Sequence, residues 1–132
     1  MFRFIIHKLM DNPVIFNTIR RIIEFNFISI NRTIKNELWK SGKYVKVLDI
    51  PCGTGEFSPL FEFNSYTGAD ISERYIEYAK KNYKKNFVCC NAINTGFVSE
   101  YFNQILVVGF FHHLNDSEIE AVLYEFKNIL KN

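Results

Sequence analysis

Cysteine is scarce in this 132-residue chain, and the three present are badly placed for cross-linking: Cys52 stands alone, and Cys89 and Cys90 are adjacent. An odd count of this kind makes no disulfide framework, and two neighbouring cysteines lack the ligand spacing of a zinc site. No metal centre is expected, and free thiols suit a reducing, cytoplasmic setting. Proline occurs only at positions 13, 51 and 59, and there is no Ser/Pro-rich linker, internal repeat or low-complexity tract. Long hydrophobic runs are absent too. The longest strongly apolar stretch, residues 105–111, falls well short of the roughly 20 residues of a membrane-spanning helix. The opening MFRFIIHKLM is interrupted by His7 and Lys8 and has no small-residue cleavage site. A soluble protein without membrane contact is the expectation.

An excess of one charge sign is also missing, since the formal net charge is only +2, which by itself points to no polyanion. The charges are nevertheless unevenly placed. Residues 1–46 carry nine Lys/Arg against three Asp/Glu, and residues 47–132 carry seven against eleven. Such asymmetry can mark a nucleic-acid contact. The plainer reading is a solvated amphipathic helix beside an acidic domain, so no nucleic-acid partner is expected; an RNA-binding role for the basic segment would require steeply salt-dependent binding. What the chain does have is apolar mass: 48% of its residues are hydrophobic and 17% aromatic. That composition supports a sizeable core and excludes disorder, and the length suits one domain.

Residues 12–40 read as helical. Asn12 can cap and Pro13 suits the first helical position, after which Ile15, Ile19, Ile22 and Ile23 form one stripe. A break is expected near Phe25 and Phe27. Ile34, Leu38 and Trp39 continue a second face that ends at Ser41 and Gly42. Residues 1–43 are thus a helical flank, and residues 44–132 form the core. In the core, residues 44–50 predict a first strand, followed by a Gly-rich turn and a short helix through Leu60 and Phe61. Residues 65–69 predict a second strand, 72–84 a helix capped by Ser72, and 87–90 a third strand. Residues 105–110 predict a fourth strand, buried on both faces, and 117–130 a last helix capped by Asp116 or Ser117. Strands alternating with helices give βαβ units, a parallel sheet and right-handed crossovers. The fold class is therefore α/β, a doubly wound sheet.

Four strings carry the chemistry. The first is VLDIPCGTGE at residues 47–56, where a strand ends at an acid and a Gly-rich turn follows. In a doubly wound sheet that turn lies at the carboxyl end of the first strand, where ligands bind. Gly53 and Gly55 would let backbone approach a ligand, and N–H groups at the start of a following helix could hold a carboxylate. The others are YTGADIS at 66–72, NFVCCNA at 86–92 and FNQILVVGFFHHL at 102–114.

The first string resembles motif I of class I S-adenosylmethionine methyltransferases, commonly V-L-D-x-G-C-G-T-G, with Pro51 in place of the first glycine. That exchange stiffens the turn and removes one N–H donor. The other strings are similar to the family's later motifs, and the ordered set covers residues 45–131. The resemblance implies a Rossmann-like sheet of order 3-2-1-4 for the four strands that can be placed. It implies S-adenosylmethionine as cofactor, held by Asp49, Pro51, Cys52, Gly53, Thr54 and Gly55 of the first loop. Asp70 would take the ribose hydroxyls with Ile71 beside it. Asn91 would accept from the adenine amino group, with Ala92 supplying backbone contact, and Gly109 belongs to the loop that faces the transferred methyl. Glu56 and Phe57 would edge the pocket or be ordinary residues of the next turn.

A dinucleotide-binding domain would share the turn and the ribose acid, but its third glycine is Ser58 here. His112 and His113 are the candidates for a base, each set against a plainer role in packing under the loop and capping the next helix. Cys52 reads as a small side chain in a tight turn, and Cys89 and Cys90 as core residues. The loop lacks the Asn-Pro-Pro or Asp-Pro-Pro string of enzymes that methylate adenine or glutamine amino groups, which argues against those substrates; the expected acceptor is a small molecule or a lipid-like compound. The alternative is a module that binds cofactor without turnover. The family's fifth, sixth and seventh strands have no counterpart here, which leaves a truncated methyltransferase or a short form whose open edge is covered by a partner or a second copy.

Overall fold

The computed structural model describes residues 10–23, 28–41 and 45–132. The chain divides into two compact units, Met1–Gly42 and Lys43–Asn132.

The first unit contains helices α1 (Pro13–Ile23) and α2 (Ile28–Ser41). Asn12 caps α1 as its sequence position suggests, its side-chain oxygen accepting from the N–H of Val14 at 3.0 Å and of Ile15 at 3.4 Å. The break expected near Phe25 and Phe27 falls outside the described residues, as does Gly42. No helix among the described residues is long and apolar enough to cross a membrane.

The second unit holds β1 (Val47–Asp49), β2 (Tyr66–Asp70), helix α3 (Glu73–Asn82), β3 (Asn86–Cys89), β4 (Gln104–Leu106) and helix α4 (Asp116–Ile129). The four strands form one sheet of order β3-β2-β1-β4. Every pair is parallel, with Val47 opposite Tyr66 and Gln104, and Thr67 opposite Asn86. This is the Rossmann-like arrangement expected, and its logic is visible in burial: every residue of β1 and β2, the two central strands, is buried. On one face, Leu48, Ile50, Ala69 and Phe102 pack with Val122, Phe126 and Ile129 of α4. Each fully buried aliphatic or aromatic side chain of this kind contributes about 1.5–3 kcal/mol. Beyond α4, Leu130 makes a parallel bridge to Phe102, and the Lys131 N–H donates to the Phe102 carbonyl at 2.8 Å.

Three local expectations are corrected. The short helix through Leu60 and Phe61 is instead a 3-10 turn at Ser58–Leu60, followed by another at Phe63–Ser65. Pro59 has no N–H with which to continue a helical ladder, and Phe61 is already extended (φ −113°, ψ 155°). The fourth strand stops at Leu106, and its residues are only half-buried. It pairs with β1 on one side, and nothing among the described residues forms a further strand beside it. The chain then turns through Gly109 at φ +64°. Finally, α4 is capped by Asn115. Its side chain accepts from the Glu118 N–H at 3.0 Å while Glu118 accepts from the Asn115 N–H at 2.9 Å, a reciprocal capping box. Ser72 caps α3 as expected, accepting from the Tyr75 N–H.

Candidate functional site

The carboxyl ends of β1, β2 and β3 open onto a cavity of about 240 Å³. Of the residues singled out from sequence, Pro51, Asp70, Ile71, Asn91 and Ala92 line it. They come from three separate strand ends, and the parallel sheet alone brings them together.

Asp70 is the best-defined group. Its side chain is only 6% exposed. One oxygen accepts from the Gly53 N–H at 2.8 Å and the other from the Ser72 N–H at 2.8 Å. A carboxylate offers about four acceptor sites, and backbone N–H groups of Gly53, Ser72 and Ile71 use three of them, so the group keeps acceptor capacity for a ligand. Burial pushes its carboxyl above the ordinary range, opposed by those N–H groups and that of Ile71. Asn91 uses its side-chain oxygen on the Ile93 N–H at 3.0 Å, a local turn that presents residues 91–93 to the cavity. Ile50, Phe110 and Leu114 supply apolar wall.

The Gly-rich turn works differently from the sequence reading. Gly53 and Gly55 do sit at positive φ, 54° and 81°, after a cis Ile50–Pro51 bond. A Cβ on Gly55, however, would meet the Phe87 ring at 2.9 Å and Ala79 at 3.2 Å. Glycine is needed there because the core presses from beneath. The N–H groups are also committed: Cys52 donates to Ala69, Gly53 to Asp70 and Gly55 to Cys52. Pro51 has none. With a 3-10 turn following in place of an α-helix, the expected row of free donors for a carboxylate is not formed by these residues.

Asp49 is fully buried and accepts from the Tyr66 hydroxyl at 2.6 Å. Cys52 is buried, and burial together with the charges of Asp49 and Asp70 pushes its thiol far up. Thr54 is buried as well. None of these three lines the cavity, nor do Gly53, Gly55 and Gly109. Phe57 is a core residue, and Glu56 accepts from the Tyr83 hydroxyl at 3.4 Å. His112 and His113 are exposed on a 3-10 turn, Phe111–His113, with ring centroids 3.8 Å apart. They too stand outside the cavity wall. Among the described residues no group of three His, Cys, Asp or Glu is placed to hold a metal.

Sequence reasoning missed several wall residues. Cys90 was read as core, but it is half-buried and lines the cavity, its thiol pushed up to about 11 by burial and then by Cys89, Asp70 and Glu125. Cys89 is exposed. Glu118 and Val122 reach the cavity from α4. The signal for Glu118 was present, since it lies in the first turn of a helix that must start at a strand end.

No curated protein matches the chain. Among solved structures, the PH0226 protein of Pyrococcus horikoshii is 29% identical with a TM-score of 0.68, over 80% of this chain and 54% of that one. A SAM-dependent methyltransferase of Thermotoga maritima is 25% identical with a TM-score of 0.73, over 95% and 56%. The magnesium protoporphyrin IX methyltransferase of Synechocystis, solved with bound SAM, shares the fold at 18% identity and a TM-score of 0.68, over 86% and 59%. This chain thus spans a little over half the length of each. The family model described as a methyltransferase domain matches residues 47–132. With the parallel β3-β2-β1-β4 sheet and the cavity at its carboxyl end, this match shows that the chain belongs to the methyltransferase domain family.

Proposed function

We propose that this chain binds S-adenosylmethionine in the cavity beside Asp70 and serves transfer of its methyl group to a small-molecule acceptor. Asp70 carries the reading. Its two oxygens are oriented by the Gly53 and Ser72 N–H groups, the carboxylate keeps acceptor capacity, and the side chain forms part of the cavity wall. A vicinal diol is the group that such a fixed, two-oxygen acceptor recognises. The rest of the wall suits an adenosine: Ile50, Ile71, Ala92 and Leu114 are apolar, and Asn91 adds a polar edge.

On this reading Asp70 would hold the ribose hydroxyls. The remaining lone pair of the Asn91 side-chain oxygen would take the adenine amino group, with the Ala92 backbone beside it. The first loop, Asp49 through Gly55, would flank the methionine end, and the loop containing Gly109, His112 and His113 would look toward the acceptor. The bound cofactor supplies a methyl group on an activated sulfonium. The chain's own contribution is position and exclusion of water. No proton-transferring side chain is required of the chain when the acceptor is already nucleophilic. Three free cysteines, one of them exposed, support a reducing compartment such as the cytoplasm.

The test is calorimetric titration of the wild type and Asp70→Ala with S-adenosylmethionine and S-adenosylhomocysteine. Binding by the wild type should weaken at least tenfold in the variant, about 1.4 kcal/mol. A folded wild-type chain that binds neither ligand refutes the proposal.

A further inference from the structure

The Tyr66 hydroxyl has a partner that the cavity itself does not explain. Tyr66 opens β2 directly opposite Val47, and its side chain reaches along β1 to donate to Asp49 at 2.6 Å. Both residues are buried. The ring is clamped between Phe61, with centroids 5.0 Å apart, and Phe87, edge-on at 5.9 Å. Gly68 leaves the hydroxyl its path, since a Cβ there would stand 3.0 Å from that oxygen. A buried phenol–carboxylate bond is costly to assemble unless well oriented, and here two neighbouring aromatic rings and a glycine orient it.

The bond also lies where charge matters. Asp49 is the last residue of β1, followed by the turn whose Cys52, Gly53 and Gly55 N–H groups are used within the fold. The turn therefore presents few donors to an anion and sits next to a buried carboxylate. In a low-dielectric setting such a charge acts on its neighbours without direct contact; the Cys52 thiol, raised first by burial, is raised further by Asp49.

We propose that Tyr66 is a positioning residue: its hydroxyl fixes the Asp49 carboxylate beneath the Gly53–Gly55 turn, and that fixed charge biases the turn toward the cationic form of the ligand. The inference rests on the reading of the site as an S-adenosylmethionine pocket. It concerns the difference between S-adenosylmethionine, whose sulfur is positive, and S-adenosylhomocysteine, whose sulfur is neutral.

The experiment is calorimetric titration of wild type, Tyr66→Phe and Asp49→Asn with both ligands. Tyr66→Phe keeps the ring and its packing and removes only the hydroxyl. It should weaken S-adenosylmethionine about tenfold, the scale of one hydrogen bond to a charged group, and weaken S-adenosylhomocysteine distinctly less, so that the ratio of the two affinities falls. Asp49→Asn removes the charge at nearly constant shape and should lower the same ratio; it decides the matter if Tyr66→Phe does not fold. Equal weakening of both ligands would mean a packing role only and overturns the proposal, as does an unchanged ratio in Asp49→Asn. Failure of the wild type to bind either ligand overturns the proposed function and this inference with it, and the wild-type titration separates that failure from the others.

Discussion

Gly68 lies in the middle of β2, yet its hydrogen lies against the tightest packing in the core. A Cβ built there would meet two Phe87 ring carbons at 2.6 and 2.8 Å, and the Tyr66 hydroxyl at 3.0 Å. Phe87 is itself buried and already blocks Gly55 at 2.9 Å from below the turn. It has no free direction in which to yield. Overpacking of this kind costs about 1–3 kcal/mol. Gly→Ala also removes freedom from the unfolded chain, which returns about 0.4–1 kcal/mol. The clash wins, and Gly68→Ala should destabilise by about 1–2 kcal/mol, lowering Tm by roughly 4–8 °C per kcal/mol for a domain of this size. Urea unfolding of the wild type, Gly68→Ala, Phe87→Ala and the double variant measures it. Phe87→Ala alone should cost about 3–5 kcal/mol. In the double variant the new methyl enters the space the ring has left, so the total should fall below the sum of the single costs by at least about 1 kcal/mol. Additive costs, or a Gly68→Ala chain as stable as wild type, would refute the argument.

Two other outcomes follow from the same geometry. Asn115→Ala removes the side-chain half of the α4 capping box and should cost about 1 kcal/mol in unfolding free energy, whereas Ser117→Ala, which leaves the cap in place, should change stability by no more than about 0.5 kcal/mol. Acidification should have opposite effects on ligand and fold through Asp70. Its native-state pKa is raised, chiefly by burial, so the native state holds that proton more tightly than the unfolded chain does. The stability contribution of this group is complete below the ordinary carboxylate pKa and is lost as pH rises through the raised one. Accepting ligand hydroxyls at both oxygens requires the ionised form, so affinity for S-adenosylhomocysteine should decline as pH falls through a range above that of an ordinary carboxylate. Calorimetry across pH with Asp70→Asn as reference checks this, and an affinity that is flat down to the ordinary carboxylate range would contradict it.

The strand order and the placement of several named residues around one cavity were legible because they follow from patterns with few solutions. Apolar runs alternating with amphipathic helices admit only a parallel sheet, and a Gly-rich turn after the first strand marks its ligand-binding end. Asp70, Asn91 and Ala92 line the cavity because each ends or follows a strand. The misses share a different cause. Asn115, Asp116 and Ser117 are all competent caps, and only the direction of chain entry selects among them. The length of β4 depended on which backbone groups β1 could still pair, and β1 has three strand residues. Cys90 reads as core by residue type, yet it stands one position beyond β3, where the strand's edge becomes the cavity's wall.

The Gly-rich turn shows why a motif can be recognised and its mechanics still be misread. Sequence says that glycine is required but not what would collide with a side chain. At position 55 the obstacle is Phe87, thirty-two residues further along the chain, pressed up from β3. Likewise, sequence shows that a turn has N–H groups but not that Ala69, Asp70 and Cys52 have already accepted them. Once those donors are spent, the turn's electrostatic character is set by what lies under it, and that is the Asp49 carboxylate held by Tyr66. A loop expected to receive an anion would, on the proposed reading, instead lie beside a cation. On that reading, the residues that take up the turn's hydrogen bonds would also leave it better matched to a positive sulfur than to a neutral one.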